Sequence, residues 1–285
     1  MSTSAITASG LTKHYGDKRA VDGLDLDIPI GEVFALLGPN GAGKSTTVEI
    51  LEGFRKRTAG DVRVLGVDPQ HADRRFRERI GVMLQSTSDR AMLSAREALT
   101  HAARLYAHPR DVDETLEAVG LTDKAGAKPQ TLSGGQRRRL DVALAVIGRP
   151  ELLFLDEPTT GFDPEARRQF WGLIEGLRGD GTTILLTTHY LDEAEYLADR
   201  IGIIANGKMI ALDTPKALRA LNQESTVSWI ENGEHRTEST VAPTALVVEI
   251  AQRLGGEIPR LSVVHASLED VYLELIHEQN GKSDA

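Results

Sequence analysis

The chain has 285 residues, 40% hydrophobic and 26% charged, a balance ordinary for a globular fold with a sizeable core. Its formal net charge of −9 argues against a surface that broadly coats nucleic acid, and the lack of cysteine excludes disulfides and thiolate metal sites. The start, MSTSAITASGLTKHYG, has neither the basic nor the apolar region of a signal peptide, and no window approaches the ~20 apolar residues of a membrane helix. The expectation is a cytoplasmic protein that leaves any membrane spanning to another chain.

Taken in order, residues 6–38 read as β-rich, with short apolar or alternating runs broken by YGD, DG and PIGE turns. The pattern turns helical over 44–54. ADRRFRERI predicts a solvated amphipathic helix, leading to a buried strand at 80–85. Helical patterns follow at 94–107, 111–120 and 133–148. Apolar strands at 151–158, 182–189 and 200–207 alternate with helices at 164–179 and 190–199, which predicts a mainly parallel sheet covered on both faces. Composition shifts near 221–224. Beyond it the sequence reads as a hairpin, a helix, a strand and a last helix, so the expected domains are 1–222 and a small α+β accessory domain, 223–285.

Gly38-Pro39-Asn40-Gly41-Ala42-Gly43-Lys44-Ser45, followed by Thr46, matches G-x-x-x-x-G-K-[ST] between a strand and a helix. Glycines there let consecutive N–H groups turn around phosphate oxygens, and the helix N-terminus adds partial positive charge. Lys44 would reach the β- and γ-phosphates, and the Ser45 hydroxyl would ligate Mg²⁺. LLFLDEP supplies the matching acids. Asp156 ends a buried strand, where an open α/β sheet presents ligand-facing residues, and would hold Mg²⁺ largely through water. Glu157 would deprotonate the attacking water. Ser133 and Gln136 have the spacing of a capping box, and with Gly134 and Gly135 they make a second helix end suited to phosphate.

These motifs, with LSGGQRRRLDVALAVIGRPELLFLDEPTTGFDP running unbroken, resemble an ABC-type ATPase over roughly residues 4–221. The resemblance implies a P-loop NTPase of ABC type with an antiparallel β subdomain and a helical subdomain. It further implies a head-to-tail, ATP-dependent homodimer in which Ser133, Gly134, Gly135 and Gln136 of one subunit close on ATP held by Lys44 of the other. Tyr15 matches the aromatic that stacks on adenine. Gln85 matches the glutamine that touches Mg²⁺ or the attacking water, His189 the γ-phosphate contact, and Asp163 the aspartate at the dimer seam. Phe162 stands where leucine is commoner.

The closing segment SLEDVYLELIHE and TTGFDPEARRQFW resemble ATPases paired with ABC-2-type membrane subunits, daunorubicin-resistance-like drug exporters among them. The resemblance therefore implies an ATP- and Mg²⁺-dependent subunit, peripheral on the inner face of the cell membrane, that energises export through a separate permease chain. That permease is expected to dock on residues 86–107, where Met92 and Leu93 look exposed. The competing class is a soluble ABC ATPase acting on nucleic acid or ribosomes, which usually carries two ATPase halves or a long coiled-coil insertion. A nucleotide-binding regulator without turnover is disfavoured by the intact Glu157. Arg137–Arg139 read as a solvated helix face, not as a nucleic-acid patch, and no nucleic-acid partner is expected.

Overall fold

Five apolar runs set the frame, because strands buried on both faces need hydrophobic residues at successive positions. The computed structural model describes residues 3–83 and 93–283. In chain order its first part comprises β1 (Ser4–Tyr15), β2 (Lys18–Pro29), β3 (Val33–Leu37), α1 (Lys44–Leu51), β4 (Ala59–Val64), α2 (Arg74–Arg79) and β5 (Ile80–Met83). The helices α3 (Ala95–Ala103), α4 (Val112–Ala118) and α5 (Gly134–Val146) come next. The chain then alternates through β6 (Leu152–Asp156), α6 (Pro164–Gly179), β7 (Thr183–Thr187), α7 (Leu191–Leu197) and β8 (Arg200–Ala205), and closes on β9 (Lys208–Asp213).

The main sheet runs β5-β6-β7-β3-β8-β9, with β5/β6, β6/β7, β7/β3 and β3/β8 parallel. All five residues of β3 and of β7 are buried. The Asn206-Gly207 pair joins β8 to β9, both residues at positive φ as a type I′ hairpin turn requires. A separate antiparallel sheet, β2-β1-β4, alternates inward and outward residues. Its inward set, including Ile6, Leu11, Val21, Leu24 and Val62, shares one core with Phe34, Phe154 and α1. The helices α3, α4 and α5 pack around their own cluster of Leu99, Leu116, Leu140 and Ile147. The antiparallel and helical subdomains expected of the ABC-type fold are thus both present.

The chain divides into two compact units, Met1–Leu212 and Asp213–Ala285. The composition shift at 222/223 lies inside the second. That unit contains α8 (Pro215–Arg219), β10 (Ser225–Glu231), β11 (Glu234–Thr240), α9 (Pro243–Leu254), β12 (Ser262–His265) and α10 (Leu268–Ser283). Its antiparallel sheet has the order β11-β10-β12, and the β10–β11 turn is again Asn-Gly at positive φ. Val227 and Trp229 of β10 pack on Ile250 of α9 and on Ile258. No helix among the described residues is long and apolar enough to cross a membrane.

Phe154 sits at 1% exposure in the middle of β6, two residues before Asp156. Phe154→Ala is expected to lower the unfolding free energy by about 3–5 kcal/mol, read from urea unfolding at unchanged slope.

Candidate functional site

The glycines of the 38–43 loop are set by neighbours as much as by dihedral angle. Gly38 has φ +155° and Gly43 φ +108°. A Cβ on Gly38 would lie 2.2 Å from the Ile204 carbonyl oxygen, and one on Gly43 2.3 Å from that of Ala20. The loop is therefore wedged between the end of β8 and the start of β2, with only hydrogen atoms at the contacts. Gly207 N–H donates to the Ala42 carbonyl at 3.0 Å, tying the loop to the β8–β9 turn. Tyr15 ends β1 and pairs in register with Lys18, so the same hairpin that abuts Gly43 carries the aromatic. Its ring is 42% exposed, with the Lys13 ammonium 5.0 Å from its centroid and the Arg55 guanidinium 5.4 Å away.

From this loop α1 begins at Lys44, whose side chain folds back so that its ammonium donates to the carbonyls of Gly38 and, at 3.1 Å, Pro39. Lys44 is 7% exposed. Burial pulls its pKa below the usual lysine value, while the carboxylates of Glu157 and Asp156 push it back up. Ser45 in the first turn is exposed and Thr46 half-buried. Thr47 is buried and donates its hydroxyl to the Gly43 carbonyl at 2.9 Å.

The acids lie at the end of β6, beside β7. Asp156 accepts a short hydrogen bond from the Thr187 hydroxyl. Glu157 has φ +49°, a left-handed conformation that a residue with a Cβ seldom adopts. Its N–H donates to the Thr187 carbonyl at 3.0 Å and lies 3.2 Å from the Thr187 hydroxyl. The turn aims the Glu157 carboxylate at His189 Nε2, with which it is in close contact. Lys44, Asp156, Glu157 and His189 are thus brought together beyond the carboxyl ends of β3, β6 and β7.

Ser133 and Gln136 form the expected reciprocal cap of α5. Gln136 N–H donates to Ser133 Oγ at 3.2 Å, and Ser133 N–H donates to Gln136 Oε1 at 3.0 Å. Among the described residues no hydrogen bond or ion pair joins this segment to the 38–45 loop of its own chain. A Cβ on Gly135 would instead lie 3.7 Å from Phe162. Phe162 is buried edge-on against Phe170, with ring centroids 6.0 Å apart. Asp163 caps α6, accepting from Ala166 N–H at 2.8 Å. Gln85 and Met92 lie outside the described residues, and Leu93 is half-buried, not exposed.

The arginine run corrects the sequence reading. Arg137 donates to the carbonyls of Pro129 (3.1 Å) and Leu132 (3.4 Å). Arg138 donates to those of Asp156 and Glu157, and Arg139 to Gly120 O (3.3 Å) and Gln169 Oε1 (3.2 Å). The three side chains brace backbone in turns and at element ends, a task suited to the five donors of a guanidinium. In α2 the predicted solvated helix does form, but it buries Phe76, and Arg79 makes a bidentate pair with Glu151 at 2.6 and 2.9 Å.

Thr187, Glu193 and Glu52 carry no motif signal and were missed. Glu193, four residues after His189, is fully buried. Burial holds its carboxyl above the usual range, against Thr188, Thr159 and Trp171, which face it without closing a hydrogen bond. Glu52 caps the C-terminus of α1 in a hollow of about 580 Å³ that it shares with Phe54, Tyr106 and Asp141. Burial, then the charges of Asp156 and Glu49, push its pKa up to about 8.

The sequence pattern of the family described as ABC transporter matches residues 21–160. The chain is 46% identical over 223 residues to the daunorubicin/doxorubicin resistance ATP-binding protein DrrA of Streptomyces peucetius, covering 76% of this chain and 68% of that one. It is 39% identical to the daunorubicin resistance ATP-binding protein DrrA2 of Streptomyces coeruleorubidus, over 99% of this chain and 98% of that one. Identity to the Nod factor export ATP-binding protein I of Rhizobium meliloti (strain 1021) is 40%, over 87% and 76%. Among solved structures, the ATP-binding subunit of an ABC transporter superposes with a TM-score of 0.69 at 25% identity, covering 76% of this chain and 92% of that one. A dimeric ATP-binding cassette in a post-hydrolysis state, bound to ADP and Pi, gives 0.67 at 25% identity, over 73% and 98%.

The raised pKa of Glu52 has a defined sign. Between its ordinary value of 4.5 and about 8 the unfolded chain is ionised at this position while the folded chain is not. Folding stability is therefore free of this penalty below about 4.5, falls as pH rises through the window, and levels off above it. The slope from this one group is at most about 1.4 kcal/mol per pH unit. Glu52→Gln is expected to flatten the decline between pH 6 and pH 8.5, compared with the parent by chemical denaturation at both values.

Proposed function

Because this chain belongs to the ABC transporter family and is an ATP-binding ATPase, we propose that it is the energising subunit of an ABC-2-type exporter, acting through a separate permease chain. One observation carries the catalytic part: Lys44, Asp156, Glu157 and His189 converge beside a single phosphate loop. The reading as an exporter rests on the drug-resistance and Nod factor export relatives, two of which match along 98% and 76% of their own length. Those relatives weigh against the alternative of a soluble ATPase acting on nucleic acid or ribosomes, as does the net charge of −9.

In this mechanism the N–H groups of the 38–45 loop and the first turn of α1 hold the triphosphate, with Thr46 in that turn. Tyr15 offers its exposed ring to adenine. The Lys44 ammonium, buried and already turned toward the loop, meets the β- and γ-phosphates. Glu157 takes the proton of the attacking water, and His189, paired with it, keeps the carboxylate aimed and reaches the γ-phosphate.

Mg²⁺ fits the donors present. Ser45 and Asp156 offer hard oxygen ligands, and no group of three or more His, Asp or Glu among the described residues forms a closed cage. That suits an ion which keeps several waters and takes phosphate oxygens. When bound, it neutralises charge on the β- and γ-phosphates. Gln85 is its further proposed ligand and a contact of the attacking water.

Two chains pair head to tail in this reading. Ser133, Gly134, Gly135 and Gln136 of one close on the nucleotide of the other, and Asp163 lies at the seam. The cap that Ser133 and Gln136 form within their own chain presents the N-terminus of α5 ready-made for phosphate. The permease docks on residues 86–107, and residues 223–285 are an accessory domain dispensable for ATP binding. The subunit then sits peripherally on the inner face of the membrane. Crosslinks to the permease from 93–107 are expected, and crosslinks only from 224–285 would remove this docking site.

Glu157→Gln keeps the shape of the carboxylate and removes its basicity, so hydrolysis is expected to fall ~10²–10⁴-fold while ATP still binds. Sedimentation with Mg-ATP should then show a stable dimer, and the parent protein in ADP a monomer. Full activity of the variant would take the base role from Glu157. Ser133→Arg is expected to leave ATP binding by the single subunit intact and abolish turnover, because the added cation fills the space of the partner's γ-phosphate. Normal turnover by this variant would refute the shared pocket.

A further inference from the structure

Glu157 needs more than its own side chain to act as a base, because its backbone is held where residues with a Cβ seldom rest. On its N-terminal side the hold is β7, through Thr187. The second hold is α5, which acts on both sides of the Cα. One nitrogen of Arg138, Nη2, donates to both the Asp156 carbonyl and, at 2.8 Å, the Glu157 carbonyl, the two carbonyls that flank the Glu157 Cα. Both bonds are charge-assisted and so stronger than neutral ones. Arg138 Nε is buried with no partner among the described residues, and the carbonyl pair orients the guanidinium from its Nη2.

We propose that Arg138 is a positioning residue that ties the backbone of the general base to the helix carrying Ser133–Gln136. Arg138 lies five residues beyond the Ser133 cap, about one and a half turns along α5. A rotation of α5 that follows contact at its N-terminus is passed through this guanidinium to the Glu157 turn. Under the head-to-tail reading above, on which this inference rests, the N-terminus of α5 touches the nucleotide held by the partner. The same helix therefore senses one site and sets the carboxylate that acts at the other. The basic character at 138 then has a mechanical use, since one cationic nitrogen donates to two successive carbonyls.

The test compares Arg138→Ala, Arg138→Lys and the same changes in a Glu157→Gln background, all as full-length chain. Fluorescent ATP-analogue titration should give an affinity within twofold of the parent for every variant. Steady-state hydrolysis by Arg138→Ala should show kcat lowered at least about tenfold at a KM changed less than twofold, as expected when a reacting group is misplaced and not removed. Arg138→Lys, which keeps the cation and disturbs folding least, should fall between the two. In the Glu157→Gln background, Arg138→Ala should cost no further rate and should leave the ATP-dependent dimer intact by sedimentation.

A parental kcat for Arg138→Ala and Arg138→Lys, or a full additional loss on top of Glu157→Gln, overturns the positioning role alone. Loss of nucleotide affinity by the folded Arg138→Lys variant overturns it too, because the residue would then serve the loop and not the base. A fully active Glu157→Gln overturns both this inference and the base assignment beneath it.

Discussion

Burying the ammonium of Lys44 is the constraint around which the rest of the site is arranged. A cation taken out of water must be met by dipoles and opposite charge, or its protonated form is lost. Here the dipoles are the carbonyls of Gly38 and Pro39, and the charges are Asp156 and Glu157. Both demands act on backbone. The loop must turn its carbonyls toward its own helix, which puts glycine where the chain passes against Ile204 and Ala20. The acids must sit on a strand near β3, and the parallel order β6-β7-β3 places their ends on the same side of the sheet.

The same order explains why β7 supports the acids although it carries neither of them. Lying between β6 and β3, it offers Thr187 to the Asp156 carboxylate and to the Glu157 N–H, and it leads directly to His189. A single strand thereby aligns Asp156, Glu157 and His189. The side chain of a threonine that is itself fully buried makes two of these contacts, so the alignment depends on packing as much as on charge.

Arginines complete the scaffold by capping carbonyls at and just beyond the ends of the regular elements. Arg137 serves the turn before α5, Arg138 the turn after β6, and Arg139 the turn after α4. Unpaired carbonyls in half-buried loops are costly, and a guanidinium can satisfy several from one anchored position. The helical cluster around Leu116 and Leu140 is in this way fastened to the carboxyl end of β6 by polar contacts.

The sequence by itself determined the alternation of strands and helices, the loop 38–45, the acid pair, the Ser133 cap and the hairpin beyond residue 222. Each of these is written in adjacent residues, as a period, a motif or a local hydrogen bond, and so survives without knowledge of the fold. The strand order, the left-handed turn at Glu157, the support from Thr187, the braces from Arg138 and Arg139, and the burial of Glu52 and Glu193 were decided only in the tertiary structure. Arg138 shows the reason most directly. Its partners lie 18 and 19 residues away, and in the sequence it is indistinguishable from the charged neighbours on either side. Whether a charge is solvated or braces a backbone depends on which carbonyls the fold brings within reach of α5, and that is a property of distance in space, not in sequence.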